Sequence, residues 1–191
     1  MCNRCIRGAE CSMGEEQCGF RQCRGCLDQV FAIRQVCEKY LANGKDVFCS
    51  IMDLEKAYDS IDRHGMWKML RVYGVGGKLL KAVQRFYVDS RVCLVGNDVN
   101  EWFPVHTSQG CVMSPWLFHV YMDGVVREVN VWVLGKGLVL LSANGGRFEI
   151  NQLLLADDTA LVADSEEKLC RLVSEFGRVC ERRKLRVNVN I

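Results

Sequence analysis

Two prolines and three histidines are all that a chain of 191 residues holds of those types. So little proline excludes collagen-like and proline-rich linker sequences, and 49% hydrophobic against 25% charged residues, with mean hydropathy at zero, excludes disorder. Long apolar runs are also missing: Lys136 interrupts the most hydrophobic stretch, between Val131 and Leu141, well short of the ~18 residues a bilayer crossing needs. No apolar run follows the early Arg4 and Arg7, so a secretory signal is not expected, and an intracellular location, cytoplasmic or nuclear, is. His64, His106 and His119 form no His-Glu-x-x-His pair, and no Gly-x-Ser-x-Gly elbow occurs, which removes two hydrolase classes. Gly74-Val-Gly-Gly-Lys78 lacks the earlier glycine of a phosphate loop and has Leu79 where a hydroxyl should meet Mg²⁺, so it reads as a break between helices.

Cysteine, by contrast, is plentiful. There are twelve, six of them within the first 26 residues, and in a reducing compartment they read as thiols or metal ligands. Cys2 and Cys5, then Cys23 and Cys26, are two Cys-x2-Cys pairs separated by 17 residues, within the range of a four-thiolate zinc site. A zinc-binding module is therefore one reading of the N-terminus. Net charge is +2, but it is unevenly distributed: +2 over residues 1–45, −3 over 46–164 and +3 over 165–191. Basic ends around an acidic middle suit a cation-binding centre between nucleic-acid-facing flanks.

Neither repeats nor low-complexity linkers divide the chain, and its length suits one core. Leu27, Val30, Phe31, Arg34, Cys37, Tyr40 and Leu41 recur at helical spacing and stop at Asn43-Gly44. An apolar run of strand length, residues 47–52, leads into Asp53. Helical periodicity over 63–73 and 78–88 predicts a helix pair, followed by two short strands over 91–96 and 101–105. Ser114-Pro115 opens a further helix to about Asn130, with serine expected to cap it. Residues 148–155 and 159–163 read as the arms of a hairpin around Asp157-Asp158, residues 165–182 as an amphipathic helix, and 185–189 as a last strand. Together these predict an α+β fold, an antiparallel sheet with helices packed on one face.

In that fold Asp53 ends one strand and Asp157-Asp158 tips a neighbouring hairpin. Three carboxylates so placed repel one another unless a cation offsets them. Mg²⁺ takes a few carboxylate oxygens together with water and substrate phosphates, and two such ions about 3.5–4 Å apart assist in-line displacement at phosphorus.

Four segments, in order along roughly residues 15 to 189, give the chain a family likeness: Gln17-Cys-Gly-Phe-Arg-Gln-Cys-Arg24, Met52-Asp-Leu-Glu-Lys-Ala-Tyr-Asp59, Gln109-Gly-Cys-Val-Met-Ser-Pro115 and Leu155-Ala-Asp-Asp158. With them the sequence resembles the reverse transcriptase domain of LINE-type (non-LTR) retrotransposons. The resemblance implies a right-hand polymerase palm over residues 46–191 with partial fingers over 1–45 and no thumb. It implies RNA-templated DNA synthesis by two-metal nucleotidyl transfer, with Mg²⁺ or Mn²⁺, a DNA primer and dNTPs. Carried over by position, Asp53, Asp157 and Asp158 are the metal-binding catalytic carboxylates. Tyr58 is the ring beneath the incoming sugar, Gln109 and Gly110 form the loop against template and nucleotide, and Arg21 and Arg24 are the finger arginines near the triphosphate. Ser114 and Pro115 support that loop from the helix behind it.

The likeness has gaps. Leu155 stands where a Tyr or Phe usually precedes Ala-Asp-Asp, Cys23 stands where glycine is usual, and no arginine immediately precedes Gln109. Family members continue past this point through a lysine-containing segment into a thumb. The pattern therefore also fits a truncated or decayed copy, a palm-fold remnant that binds RNA without catalysis.

Overall fold

A computed structural model of the chain describes residues 9–10, 12–19, 21, 23–88, 91–93, 102–104, 111–133, 138–141 and 147–188. Its elements, in order, are α1 (Cys26–Ala42), β1 (Phe48–Met52), α2 (Arg63–Val72), α3 (Gly77–Tyr87), β2 (Arg91–Cys93), β3 (Trp102–Pro104), α4 (Ser114–Val133), β4 (Leu138–Leu141), β5 (Arg147–Ile150), β6 (Gln152–Leu155), β7 (Asp158–Ala163) and α5 (Glu166–Arg182). No helix among the described residues is long and apolar enough to cross a membrane.

Local chemistry explains most boundaries. Asp28 accepts a hydrogen bond from the Gly25 amide at 2.6 Å at the start of α1, and the chain leaves the other end through Gly44 at φ +65°. Asp62 caps α2 by accepting from the Gly65 amide at 2.8 Å, and Ser165 caps α5 by accepting from the Lys168 amide at 3.3 Å. Gly74, at φ +78°, turns the chain between α2 and α3 as the glycine cluster predicts.

The central sheet is antiparallel in the order β1-β7-β6. β4 with β5 and β2 with β3 form two further antiparallel pairs. On one face α4 and α5 cover the sheet: Leu154 and Leu161 join Leu117, Phe118, Leu172 and Phe176 in the main core. α4 runs through this core and is almost wholly buried from Ser114 to Val126. Its Gly124 lets α2 approach, since a Cβ there would lie 2.5 Å from Met69 Cε. The opposite face is covered at one end, where Val162 packs with Val36 and Tyr40 of α1 and Leu138 of β4.

Three expectations are corrected. The single strand expected over 148–155 is two, because the chain changes partner at Asn151: β5 pairs with β4, and β6 with β7. Of the strand expected over 185–189, the described residues show one bridge, between Leu54 and Val187, made by the Glu55 amide on the Arg186 carbonyl at 2.8 Å and the Asn188 amide on the Asp53 carbonyl at 2.9 Å, and Val189 lies outside the described residues. Helix α4 begins at Ser114 itself instead of being capped by it. The serine hydroxyl instead meets the Tyr87 hydroxyl at 3.4 Å, and Pro115 still falls in the first turn, where its missing N–H does no harm.

Candidate active site at the end of the central sheet

β1 and β7 are in register from Phe48 with Ala163 through Met52 with Thr159, so the next residues across the ladder are Asp53 and Asp158. Leu155 pairs with Asp158, which leaves Ala156-Asp157 as a two-residue turn between β6 and β7. Ala156 takes φ +58°, the left-handed conformation that such tight hairpin turns require and that alanine adopts only at a cost. Strand register and turn thus gather Asp53, Asp157 and Asp158 at one end of the sheet.

Charge at this end is unbalanced. Burial, with the neighbouring charges of Asp157 and Asp53, pushes the Asp158 carboxyl above its ordinary value. Among the described residues no basic side chain forms an ion pair with any of the three aspartates. Asp53 is held by Asn188, whose side-chain amide donates to the carboxylate at 3.2 Å and whose backbone amide donates to the Asp53 carbonyl. No three His, Cys, Asp or Glu side chains among the described residues close into a metal cage. The carboxylates are close enough to raise one another's charge cost, and carboxylate oxygens are the donor type that hard cations share with water and phosphate.

Tyr58 lies in the same place. Its ring packs on Phe118, with centroids 4.7 Å apart and planes at 30°, and its phenol is pushed upward by burial and by the charge of Asp157.

The turn is supported from the N-terminal segment by Gln17, Gly19 and Gln29, residues to which the motifs alone assign no role. Gln17 is buried, bridges in parallel to Leu154, and holds the Ala156 peptide unit with its side chain. Its Oε1 accepts from the Ala156 amide at 3.2 Å and from the Gly19 amide at 2.9 Å, while Nε2 donates to the Ala156 carbonyl at 3.3 Å. Gln29 of α1 donates to the carbonyls of Glu16 at 2.8 Å and Leu154 at 3.1 Å, tying this segment to β6. Gly19 passes so close that a Cβ would lie 2.5 Å from the Ala156 nitrogen. A glutamine two residues before a glycine was the only signal, and no local spacing indicates a partner 139 residues away.

Arg21 is turned inward. Its guanidinium donates to Glu10 at 2.8 Å and to the carbonyls of Gly14 at 2.6 Å and Gln17 at 3.1 Å, which folds the N-terminal segment onto itself. Arg24 pairs with Glu15 nearer the surface. Cys23, at φ +61°, and Cys26 are exposed free thiols, while Cys2 and Cys5 lie outside the described residues, as do Gln109 and Gly110.

The family model described as reverse transcriptase (RNA-dependent DNA polymerase) matches residues 2–190. The Pol polyprotein of the type-2 retrotransposable element R2DM of Drosophila melanogaster is 26% identical over 152 residues, 78% of this chain and 14% of that protein. That of the type-1 retrotransposable element R2 of Nasonia vitripennis is 28% identical over 128 residues, 65% of this chain and 12% of that protein. The chain thus spans about one seventh of the length of these relatives. Among solved structures, telomerase from Candida tropicalis, in complex with the TWJ fragment of telomeric RNA, superposes with a TM-score of 0.70 at 10% identity, over 96% of this chain and 31% of that one. Telomerase from Candida albicans, also with the TWJ fragment, gives 0.66 at 12% identity, over 87% and 29%. These likenesses show the fold.

Proposed function

The chain belongs to the reverse transcriptase family, and from that premise we propose that it is the palm of a non-LTR retrotransposon's RNA-directed DNA polymerase, acting inside the cell on an RNA template, a DNA primer and dNTPs. The observation that carries this reading is the register of β1 with β7, which sets Asp53 across from Asp158 with Asp157 in the adjoining turn and leaves their charge without a basic partner.

In this reading Asp53, Asp157 and Asp158 hold two divalent cations, Mg²⁺ or Mn²⁺, and all-oxygen donors suit both. Ions held by these three carboxylates would supply the charge that lowers the pKa of a primer 3′-hydroxyl and offsets that of the triphosphate and departing pyrophosphate. The protein's own contribution is placement. Asn188 fixes the Asp53 carboxylate, Gln17 fixes the turn that carries Asp157, and the sheet holds the two strands at one spacing. Tyr58, backed by Phe118, offers a rigid ring beneath the incoming sugar and crowds a ribose 2′-hydroxyl. By their match to the family's motif, Gln109 and Gly110 are assigned to the template and nucleotide, and Ser114 and Pro115 open the helix that follows them.

Primer extension on an RNA template, with Mg²⁺ or Mn²⁺, tests the proposal beside an Asp157→Ala/Asp158→Ala control of equal thermal stability. Extension that disappears in the control supports it. A folded protein that extends no primer with either cation leaves the remnant reading, a palm that retains the fold without catalysis.

A further inference from the structure

Averaged over residues 46–164 the chain is acidic, yet within that span residues 63–88 contain six Lys or Arg and no Asp or Glu. The structure turns that island into two surface stripes. On α2, Lys68 and Arg71 are exposed together with His64, at positions i, i+4 and i+7, on the side away from the buried Met66 and Leu70. On α3, Lys78, Lys81 and Arg85 are exposed at i, i+3 and i+7, on the side away from the buried Leu80, Val83 and Tyr87. These spacings put each set on one helical face about 10 Å long. Among the described residues none of Lys68, Arg71, Lys78, Lys81 and Arg85 forms an ion pair, whereas all three arginines of α5, Arg171, Arg178 and Arg182, do. Trp67 of α2 and Tyr87 of α3 pack with ring centroids 6.2 Å apart, so the two helices form one unit.

This unit lies away from the carboxylates. α4 is sandwiched between the sheet, where Gln152 donates to the Val126 carbonyl at 3.2 Å, and α2, where Met69 meets Gly124. The stripes, opposite the buried faces of α2 and α3, therefore front solvent on the helical side of the fold.

We infer that the α2–α3 pair is a second nucleic-acid surface, one that grips the phosphate backbone of a duplex without reading its bases. Five unpaired cations within two turns of two packed helices match a polyanion with a charge every ~3.4 Å along each strand. Phe86, exposed beside Arg85 on α3, is a single ring next to the cations and falls short of the series of aromatics on which successive unpaired bases stack, which favours a duplex over a single strand. Lys and Arg contacts to phosphate position a duplex and carry no sequence information. The inference is independent of whether the carboxylates catalyse anything.

The test is fluorescence anisotropy with the full chain and 20-base-pair DNA, RNA and RNA–DNA hybrid duplexes across a salt series, without nucleotides or divalent cations. The triple variant Lys78→Glu/Arg85→Glu/Lys81→Glu and the double variant Lys68→Glu/Arg71→Glu should each weaken duplex binding at least about tenfold and flatten the dependence of log affinity on log salt by about 2 units. The milder Lys78→Gln/Lys81→Gln/Arg85→Gln should do the same in smaller measure with unchanged thermal stability, which separates lost contacts from misfolding. Arg171→Glu/Arg178→Glu, on the exposed side of α5, reproduces the double variant's change of four charges and controls for net charge. Which duplex loses most identifies the ligand. Unchanged affinity and slope in the α2 and α3 variants, or an equal loss in the α5 control, overturns the inference.

Discussion

Gln17 holds Ala156 by both faces of its backbone, accepting from the amide at 3.2 Å and donating to the carbonyl at 3.3 Å. The alanine so held is in a left-handed conformation and adjoins Asp157 and Asp158, so a residue remote in sequence stabilises the turn that aims two of the carboxylates. Gln17→Ala strips partners from buried amides and a carbonyl, a cost of about 2–4 kcal/mol. The expected outcome is a melting temperature lower by about 5–10 °C, with primer extension lost faster than fold on heating. Gly19→Ala should act on the same turn by steric push, because its Cβ has no room beside the Ala156 nitrogen. Calorimetry with a parallel extension assay checks both.

Asp158→Asn should raise stability while removing activity. The Asp158 carboxyl sits above its ordinary range in the fold, so the folded state favours its protonated form. The penalty on folding is fully present above the folded-state value and fades as the pH falls toward the ordinary carboxylate value. For a solvent-exposed group this is small, a gain on the order of 1–2 °C in melting temperature at neutral pH without divalent ions. Adding Mg²⁺ should stabilise the parent chain more than the variant, and thermal scans at both conditions read the difference.

His119 predicts an acid-labile core. Buried beside Phe118, its imidazole is pushed down to about 4, chiefly by burial and further by the positive Arg21. A folded-state value below the unfolded one near 6.5 means that its contribution to stability is whole above pH ~6.5 and is lost as the pH falls toward 4. The loss is about 3 kcal/mol at the acid end of that window. Urea titrations from pH 7 to 4 should show this slope in the parent chain and a shallower one in His119→Gln.

Tyr58→Val should relax the choice of sugar. Removing the ring that stacks on Phe118 opens the space assigned to the 2′-hydroxyl, and incorporation of rNTPs relative to dNTPs should rise about tenfold. Competition between the two nucleotide types in one extension reaction measures the ratio. A ratio unchanged by the substitution removes Tyr58 from the pocket.

What could be read beforehand follows the range of the interactions. The helix stops at Gly44 and Gly74 depend on neighbours within a few positions and appear where the turn residues put them, whereas the hairpin turn falls one residue earlier than expected, on Ala156-Asp157, because Asp158 already pairs with Leu155. The convergence of Asp53 with Asp157 and Asp158 was legible because strand ends and a hairpin tip leave few alternatives. The break at Asn151 was not, since the apolar run on either side is continuous and only the choice of a second partner strand divides it. The inward turn of Arg21 also escaped, because it depends on Glu10 and the carbonyls of Gly14 and Gln17, and not on its own flanking sequence. The basic stripes of α2 and α3 were hidden by averaging charge over a long acidic span.

The bridges that complete the site also set the order in which it can be made. β1 pairs with β7 across 115 positions, from Phe48 to Ala163, Gln17 reaches Ala156 across 139, and Asn188 returns to Asp53 across 135. The β6–β7 hairpin and the helices can form from local contacts, but β1 must wait as an unpaired strand until β7 has emerged from the ribosome, and Asp53 until Asn188 has. Within this span the site is therefore among the last features to assemble. During that wait the chain displays an unpaired strand ending in Ser50-Ile51-Met52, an open edge on which another strand can pair wrongly before β7 arrives.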